Sequence, residues 1–164
     1  MVVLAAAGCG GVHIETALSA EEQQAVTDSV RAFMHGVAHD VSKDGPTAWR
    51  AHFDDTPAFF MAVNGQLAFH DGRSASEGIQ TVAQTFKSIQ LQWGDEIRVD
   101  PLTAKFAVVA SSYHEVLTTA NDQQMTSNGF FTAVAQNVGG RWQFRDVHWS
   151  VPVATPASAT SGGS

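Results

Sequence analysis

Near the C-terminal end of the chain, Asp146, His148 and Ser150 alternate with Val147 and Trp149. Side chains two apart in a strand share a face. The spacing therefore sets a carboxylate, an imidazole and a hydroxyl in one row, continuing a line that starts with Trp142 and Phe144. An apolar base leading into polar groups suits the wall of a cavity. A carboxylate beside an imidazole fixes its tautomer and favours its protonated form, while burial opposes the charge. Two such groups with split proton affinities can move a proton between neighbouring atoms of a substrate. The expected roles are His148 as base, Asp146 as its orienter, and His114 or Ser150 as a polarising donor. The competing role is structural: Asp146 and His148 bond each other, or Arg145 and the backbone, at the rim of a core.

The elements that must position these groups are legible from periodicity. Ser19 followed by Glu22 is a capping-box pattern, and Val26, Val30, Phe33, Met34, Val37 and Val41 follow at helical spacing. Gly45-Pro46 ends that helix. A short helix from Thr47 to about Phe53 carries Trp49 and Phe53. A strand over 58–63, the Asn64-Gly65 hairpin turn and a return strand over 66–70 come next. Ser74 or Ser76 is expected to cap a third helix reaching about Ile89, with Ile79, Val82, Phe86 and Ile89 as its stripe. From Leu91 the period changes to two, predicting strands at about 91–99, 104–119, 125–136 and 141–151 joined by tight turns, an antiparallel meander.

Turning Asp146 and His148 inward carries that orientation to the neighbouring strand. The expected pairs are Trp142 with Ala135, Phe144 with Ala133, Asp146 with Phe131, and His148 with Gly129. Gly129 then leaves space beside the imidazole. On the next strand two registers are open, because a one-residue slip exchanges the faces. One turns Phe106, Val108, Ala110, Ser112, His114 and Val116 inward. The other turns Lys105, Ala107, Val109, Ser111, Tyr113, Glu115 and Leu117 inward. The first is preferred because it buries more apolar surface and less charge, and it brings His114 towards Asp146 and His148. The pocket is then lined by Trp49, Phe53, Phe131, Gly129, Ser150 and Ser112. Phe59, Phe60, Phe69 and Phe86 are core candidates. Trp93, Phe130 and Trp149 fall on the opposite sheet face, where exposed aromatics favour a dimer surface.

Composition narrows the classes. The chain has 164 residues, 44% hydrophobic and 15% charged, enough for one domain with a sizeable core. A net charge of -7 with no basic cluster gives nucleic-acid binding no electrostatic footing. His35 and His39 share zinc-compatible helical spacing but lack a metalloprotease glutamate, so no metal is assigned, and no cofactor. The single cysteine, Cys9, follows the apolar run Val2–Ala7 and Gly8. That segment resembles the end of a bacterial lipoprotein signal without its basic start. Two readings stay open. In one, Cys9 is lipidated, residues 1–8 are removed, residues up to about 18 form a tether, and the protein sits in the cell envelope with the lipid as its only membrane link. In the other, the N-terminus is an Ala/Gly-rich disordered segment of a cytoplasmic protein. Residues 19–152 form the folded domain. The Pro/Ala/Ser/Thr/Gly segment 153–164 is expected to be a disordered tail.

The element order, Gly72-Arg73 before the third helix, and the ending Trp142-x-Phe144-x-Asp146-x-His148-x-Ser150 resemble the nuclear transport factor 2-like superfamily. The SnoaL-like branch, with ketosteroid isomerases and polyketide cyclases, is the part it looks most like. The resemblance covers about residues 19–152. It implies an α+β fold of the cystatin-like, nuclear transport factor 2-like type: a cone-shaped, strongly curved antiparallel sheet wrapped around a long N-terminal helix, with two further helices and a deep pocket open at one end. It also implies frequent homodimers through the sheet face. Ketosteroid isomerases pair an early-strand carboxylate with a tyrosine on the first helix. Here the only tyrosine, Tyr113, is on a late strand. Fold does not supply function, and three functions remain. The preferred one is a binding domain for a small hydrophobic molecule bearing oxygen. The others are an isomerase, dehydratase or cyclase using Asp146 and His148, and a protein-binding module acting through the sheet.

Overall fold

The computed structural model describes residues 17–152. The lipid-signal reading at Cys9 and the tail from Val153 lie outside the described residues. Among the described residues, no helix is long and apolar enough to cross a membrane.

Helix α1, Ala20–Asp44, begins as its capping box requires: the Ser19 hydroxyl accepts from the Glu22 amide, and the Glu22 carboxylate accepts from the Ser19 amide at 2.8 Å. Val26, Val30, Met34, Val37 and Val41 are its buried stripe. The chain turns at Gly45 into a 3-10 helix, Pro46–Ala51. Strands β1, Phe60–Val63, and β2, Gln66–Phe69, form the Asn64-Gly65 hairpin. Helix α2, Gly72–Thr85, is capped by Asp71, ahead of both expected serines, and Ser74 closes a reciprocal box with it. The helix stops at Thr85, and Phe86 and Ile89 belong instead to strand β3, Phe86–Trp93. The strand expected at 91–99 is two strands, β3 and β4, Arg98–Thr103, which lie along successive stretches of β5, Phe106–Thr119. Pro101 lies within β4, which pairs only with β5 and so tolerates a missing amide donor. Strands β6, Gln124–Val138, and β7, Arg141–Ser150, complete one sheet in the order β2-β1-β7-β6-β5-β3, with β4 beside β5. All pairings are antiparallel except β1 with β7.

The curved sheet wraps α1. Trp142 Nε1 donates to Ser29 Oγ at 2.8 Å, Trp93 Nε1 to the Met34 carbonyl at 2.7 Å, and the Leu91 amide to Ser42 Oγ at 2.9 Å. These ties hold the helix from Ser29 to Ser42. The expected α+β cone of the cystatin-like type is therefore the observed architecture.

None of the four expected β6–β7 pairs forms: the ladder is displaced by two residues before Arg145 and by three beyond it, and the odd displacement has the large effect. Val138 pairs with Arg141 around Gly139-Gly140, whose φ values of 60° and 89° are those of a two-residue hairpin turn. Trp142 then meets Asn137, and Phe144 meets Ala135. The next pair is Asp146 with Val134, so Arg145 is an extra residue, a β-bulge. Beyond it the alternation is reversed. Val147 pairs with Ala133, and Trp149 with Phe131, all buried. Asp146 and His148 turn to the outer face.

Gly129 lies where the end of β7 presses onto β6. A Cβ there would meet the Ser150 carbonyl oxygen at 1.9 Å and the Tyr113 hydroxyl at 2.8 Å. Gly129→Ala is expected to cost about 1–3 kcal/mol in equilibrium denaturation, as overpacking against backbone does. At Gly36, within α1, a Cβ would meet nothing within 4 Å. Gly36→Ala is therefore expected to stabilise by about 0.5–1 kcal/mol. Equal responses at the two positions would contradict the packing described.

Candidate functional site

The β5–β6 ladder pairs Ala107 with Ala135, Val109 with Ala133 and Ser111 with Phe131, so β5 shows its odd-numbered side chains to the interior. Ala107, Val109, Ser111 and Tyr113 are buried, whereas Ser112 is exposed. The preferred register was thus the wrong one, and the acid it kept outside is inside. Glu115 pairs across the sheet with Leu91 on one side and Ser127 on the other.

A cavity of about 360 Å³ lies between this concave face, the 3-10 helix and α2. Trp49 and Phe53 form one wall, Ile79 and Val82 of α2 another, and Met61, Val63 and Phe69 a third. Pro46, Phe86, Ile89, Leu117, Trp149 and Val151 complete the apolar surface, and the polar groups on it are Asn64, Tyr113, Glu115 and Ser127. No α1 residue lines it; α1 packs against the rest of the concave face. The aromatic wall is continuous. Trp49 stacks on Phe53 at 5.2 Å and meets Trp149 edge-on at 5.8 Å, and Tyr113 meets Trp149 edge-on at 4.6 Å. The Tyr113 hydroxyl lies 3.4 Å from Ser127 Oγ.

The electrostatics follow from this enclosure. Burial raises the Glu115 carboxyl to about 7, and only His114, its neighbour in the chain, pulls in the opposite direction. Burial also raises the Tyr113 phenol, the Ser127 hydrogen bond lowers it, and the neighbouring Glu115 charge raises it. A carboxyl poised near neutrality can give or take a proton, and a phenol held protonated can donate to an oxygen.

The expected site residues are divided among several places. Trp49 and Phe53 do line the inner cavity. Phe131 is wholly buried core beneath Trp93, Phe144 and Trp149. Asp146 and His148 border a shallow outer hollow with Phe60, Val108, Thr132 and Val134. There His148 is exposed and pairs with Thr132, not Gly129. Burial raises the Asp146 carboxyl, Arg145 lowers it and Asp54 raises it. Ser112, His114, Gly129 and Ser150 do come together, but around an outer groove of about 690 Å³. The proposed meeting of His114 with Asp146 and His148 is replaced by a contact of His114 with Asn128. Trp93 and Trp149 belong to the interior, and only Phe130 of the three aromatics assigned to the outside is there.

Glu115 and Tyr113 were missed as a site. The available signal was that both fall on one face of an otherwise apolar strand. Rejecting that face because it buried a charge discarded the chemistry. His52 also escaped notice: its Nε2 lies 3.2 Å from Asp40 Oδ2, linking α1 to the segment before β1. Burial lowers its pKa and Asp40 opposes that. It is not among the cavity-lining residues.

No family model and no curated protein matches the chain. Solved structures do. A scytalone dehydratase-like protein from Novosphingobium aromaticivorans superposes with a TM-score of 0.70 at 12% identity, covering 82% of this chain and 89% of that one. A hexachlorocyclohexane dehydrochlorinase, LinA-type3 from Novosphingobium barchaimii, gives 0.64 at 12% identity over 86% and 96%. A nuclear transport factor 2-like superfamily protein from Salmonella enterica serovar Typhimurium gives 0.62 at 17% identity over 88% and 98%. Likeness at these identities defines the fold. The chain has the nuclear transport factor 2-like fold.

The state of Glu115 makes stability depend on pH. The unfolded chain releases this proton near 4.5, and the folded chain holds it to about 7. Between those values the folded state binds more protons, so stability falls as pH rises. The full loss is about 2–3 kcal/mol after allowance for partial solvent screening. Glu115→Gln should remove this slope. Its melting temperature is expected to match wild type near pH 4 and exceed it at pH 8, by scanning calorimetry; parallel pH profiles would place the carboxyl in water.

Proposed function

We propose that this protein binds a mainly apolar small molecule bearing an oxygen function in the inner cavity, with that oxygen against Tyr113 and Glu115. The observation that carries this is a single carboxyl, raised to about 7, on the wall of a mainly aromatic and aliphatic cavity beside the only tyrosine. The volume suits a small, compact ligand. Its contacts are to be apolar over most of the surface, with Ser127 and Asn64 as further polar partners at the wall.

The same observation favours a second reading, proton-transfer catalysis of the isomerase or dehydratase type. Glu115 as carboxylate takes a proton from the carbon next to a carbonyl. The C–H electron pair becomes the enolate C=C, and the charge gathering on oxygen is met by the Tyr113 hydroxyl. Returning the proton at a different carbon gives an isomer. Transferring it to a β-hydroxyl that departs with its bonding pair gives an alkene and water. Two structural neighbours bear the names of elimination enzymes, a dehydratase and a dehydrochlorinase. At 12% identity that likeness is one of fold, and the chemical reading rests on Glu115. It replaces Asp146 and His148 as the acid/base pair.

The test uses a panel of aryl and alicyclic ketones, with calorimetry for binding and NMR for deuterium uptake at the α-carbon. Exchange is expected to rise with pH through about 7, as the base form appears. Glu115→Gln should lower it by about 10²–10⁴-fold. Tyr113→Phe should lower it less, and His148→Ala should leave it unchanged. Binding without exchange would remove the catalytic reading and keep the binding one. Exchange that survives Glu115→Gln, or binding that a bulky Leu117→Trp leaves untouched, would overturn the site.

A further inference from the structure

We propose that the groove on the outer face of the sheet is a second binding site, for a neutral polyhydroxylated ligand of the oligosaccharide class. Tyr113 and Val151 border both this groove and the inner cavity, but the side chains that furnish the groove are others and their chemistry is different.

Register builds the groove in two adjacent rows across the sheet. Gln92, His114 and Asn128 stand side by side in one row, and Ser112, Phe130 and Ser150 in the next. All six border the 690 Å³ hollow. Phe130 is 50% exposed. Its neighbours across the strands are both serines, too small to cover the ring. An aromatic face left open in this way attracts the weakly positive C–H edges of a sugar ring through its quadrupole.

The polar row supplies the rest. His114 Nδ1 lies 2.6 Å from Asn128 Oδ1. That oxygen only accepts, so Nδ1 carries the hydrogen, and Nε2 of the neutral ring is an acceptor. The same bond leaves the Asn128 amide N–H groups as donors beside it. Gln92 adds a second amide, and Ser150 Oγ, which donates to the Phe130 carbonyl at 3.3 Å, keeps its lone pairs. Donors and acceptors at neighbouring positions match the paired hydroxyls of a sugar, each of which both gives and takes a hydrogen bond. Among the described residues that line the groove there is no Lys, Arg, Asp or Glu. Nothing there would offset the desolvation of a phosphate or carboxylate, so the ligand is neutral.

The experiment titrates the full chain with cellotriose, maltotriose and chitotriose, by calorimetry and saturation-transfer NMR. At least one is expected to bind with a Kd in the millimolar range or tighter. Phe130→Ala and Asn128→Ala should each weaken that binding about tenfold or more, with melting temperatures unchanged. Glu115→Gln, on the other face, should leave it intact. The proposal is overturned if none of the three sugars binds, or if binding survives Phe130→Ala. It is equally overturned if sedimentation shows a dimer that Phe130→Ala dissociates, since the face is then an interface between copies of the chain.

Discussion

The bulge at Arg145 is the constraint on which the arrangement depends. A sheet with one face on a core allows each strand a single parity, and one extra residue reverses it. Before Arg145, Trp142 and Phe144 face the interior; after it, Val147 and Trp149 do. The reversal delivers Trp149 to the centre of an aromatic cluster with Trp49, Trp93, Tyr113 and Phe131. Without it, the indole would go to solvent, and an acid and an imidazole would be driven under the sheet with no partner there. Burying a large aromatic contributes a few kcal/mol, about 25 cal/mol for each Å² of apolar surface removed from water. Burying an unpaired charge costs several. Both effects favour the bulged register, and β1 confirms it by pairing in parallel with the far segment of β7 so that Met61 and Val63 also face inward.

The position of Glu115 runs against the same energetics. The structure moves two ionisable groups of β7 out of the interior, yet leaves one on β5 facing an apolar cavity. Desolvation there is met by holding the proton to about 7. A hydrophobic residue at that position would be more stable. Groups whose environment shifts their proton affinity towards neutrality are found preferentially where protons are moved or polar ligands are bound. The contrast with Asp146, raised by burial but placed opposite exposed Phe60 and beside the Arg145 cation, is one of setting. Among the described carboxyl groups raised by burial, Glu115 is the one that lines the inner cavity.

Local chemistry made much of the fold legible from sequence. The Ser19–Glu22 capping box, the Val26-to-Val41 stripe and Asn64-Gly65 are short-range signals, and each stands where its spacing places it. The helix-to-strand change at Phe86 was not legible, because Phe86 and Ile89 continue the spacing of Ile79 and Val82 while serving a strand in which their neighbours alternate. A bulge leaves no mark in an alternating pattern: Asp146, His148 and Ser150 read as a face whether or not Arg145 is counted in the ladder. The candidate site was lost with that parity. Trp49 and Phe53 were found because aromatics near a helix end are placed by local spacing. Glu115 and Tyr113 needed the long-range register.

The account stands most directly on the proton affinity of one side chain. Carbon-13 NMR of the glutamate carboxyl groups across pH, with the Glu115 signal assigned by its loss in Glu115→Gln, reports it without reference to any ligand. A midpoint near 7 is expected. A midpoint in the ordinary glutamate range, near 4.3 as in model peptides, would place the carboxylate in water and contradict the cavity, the register and the site together.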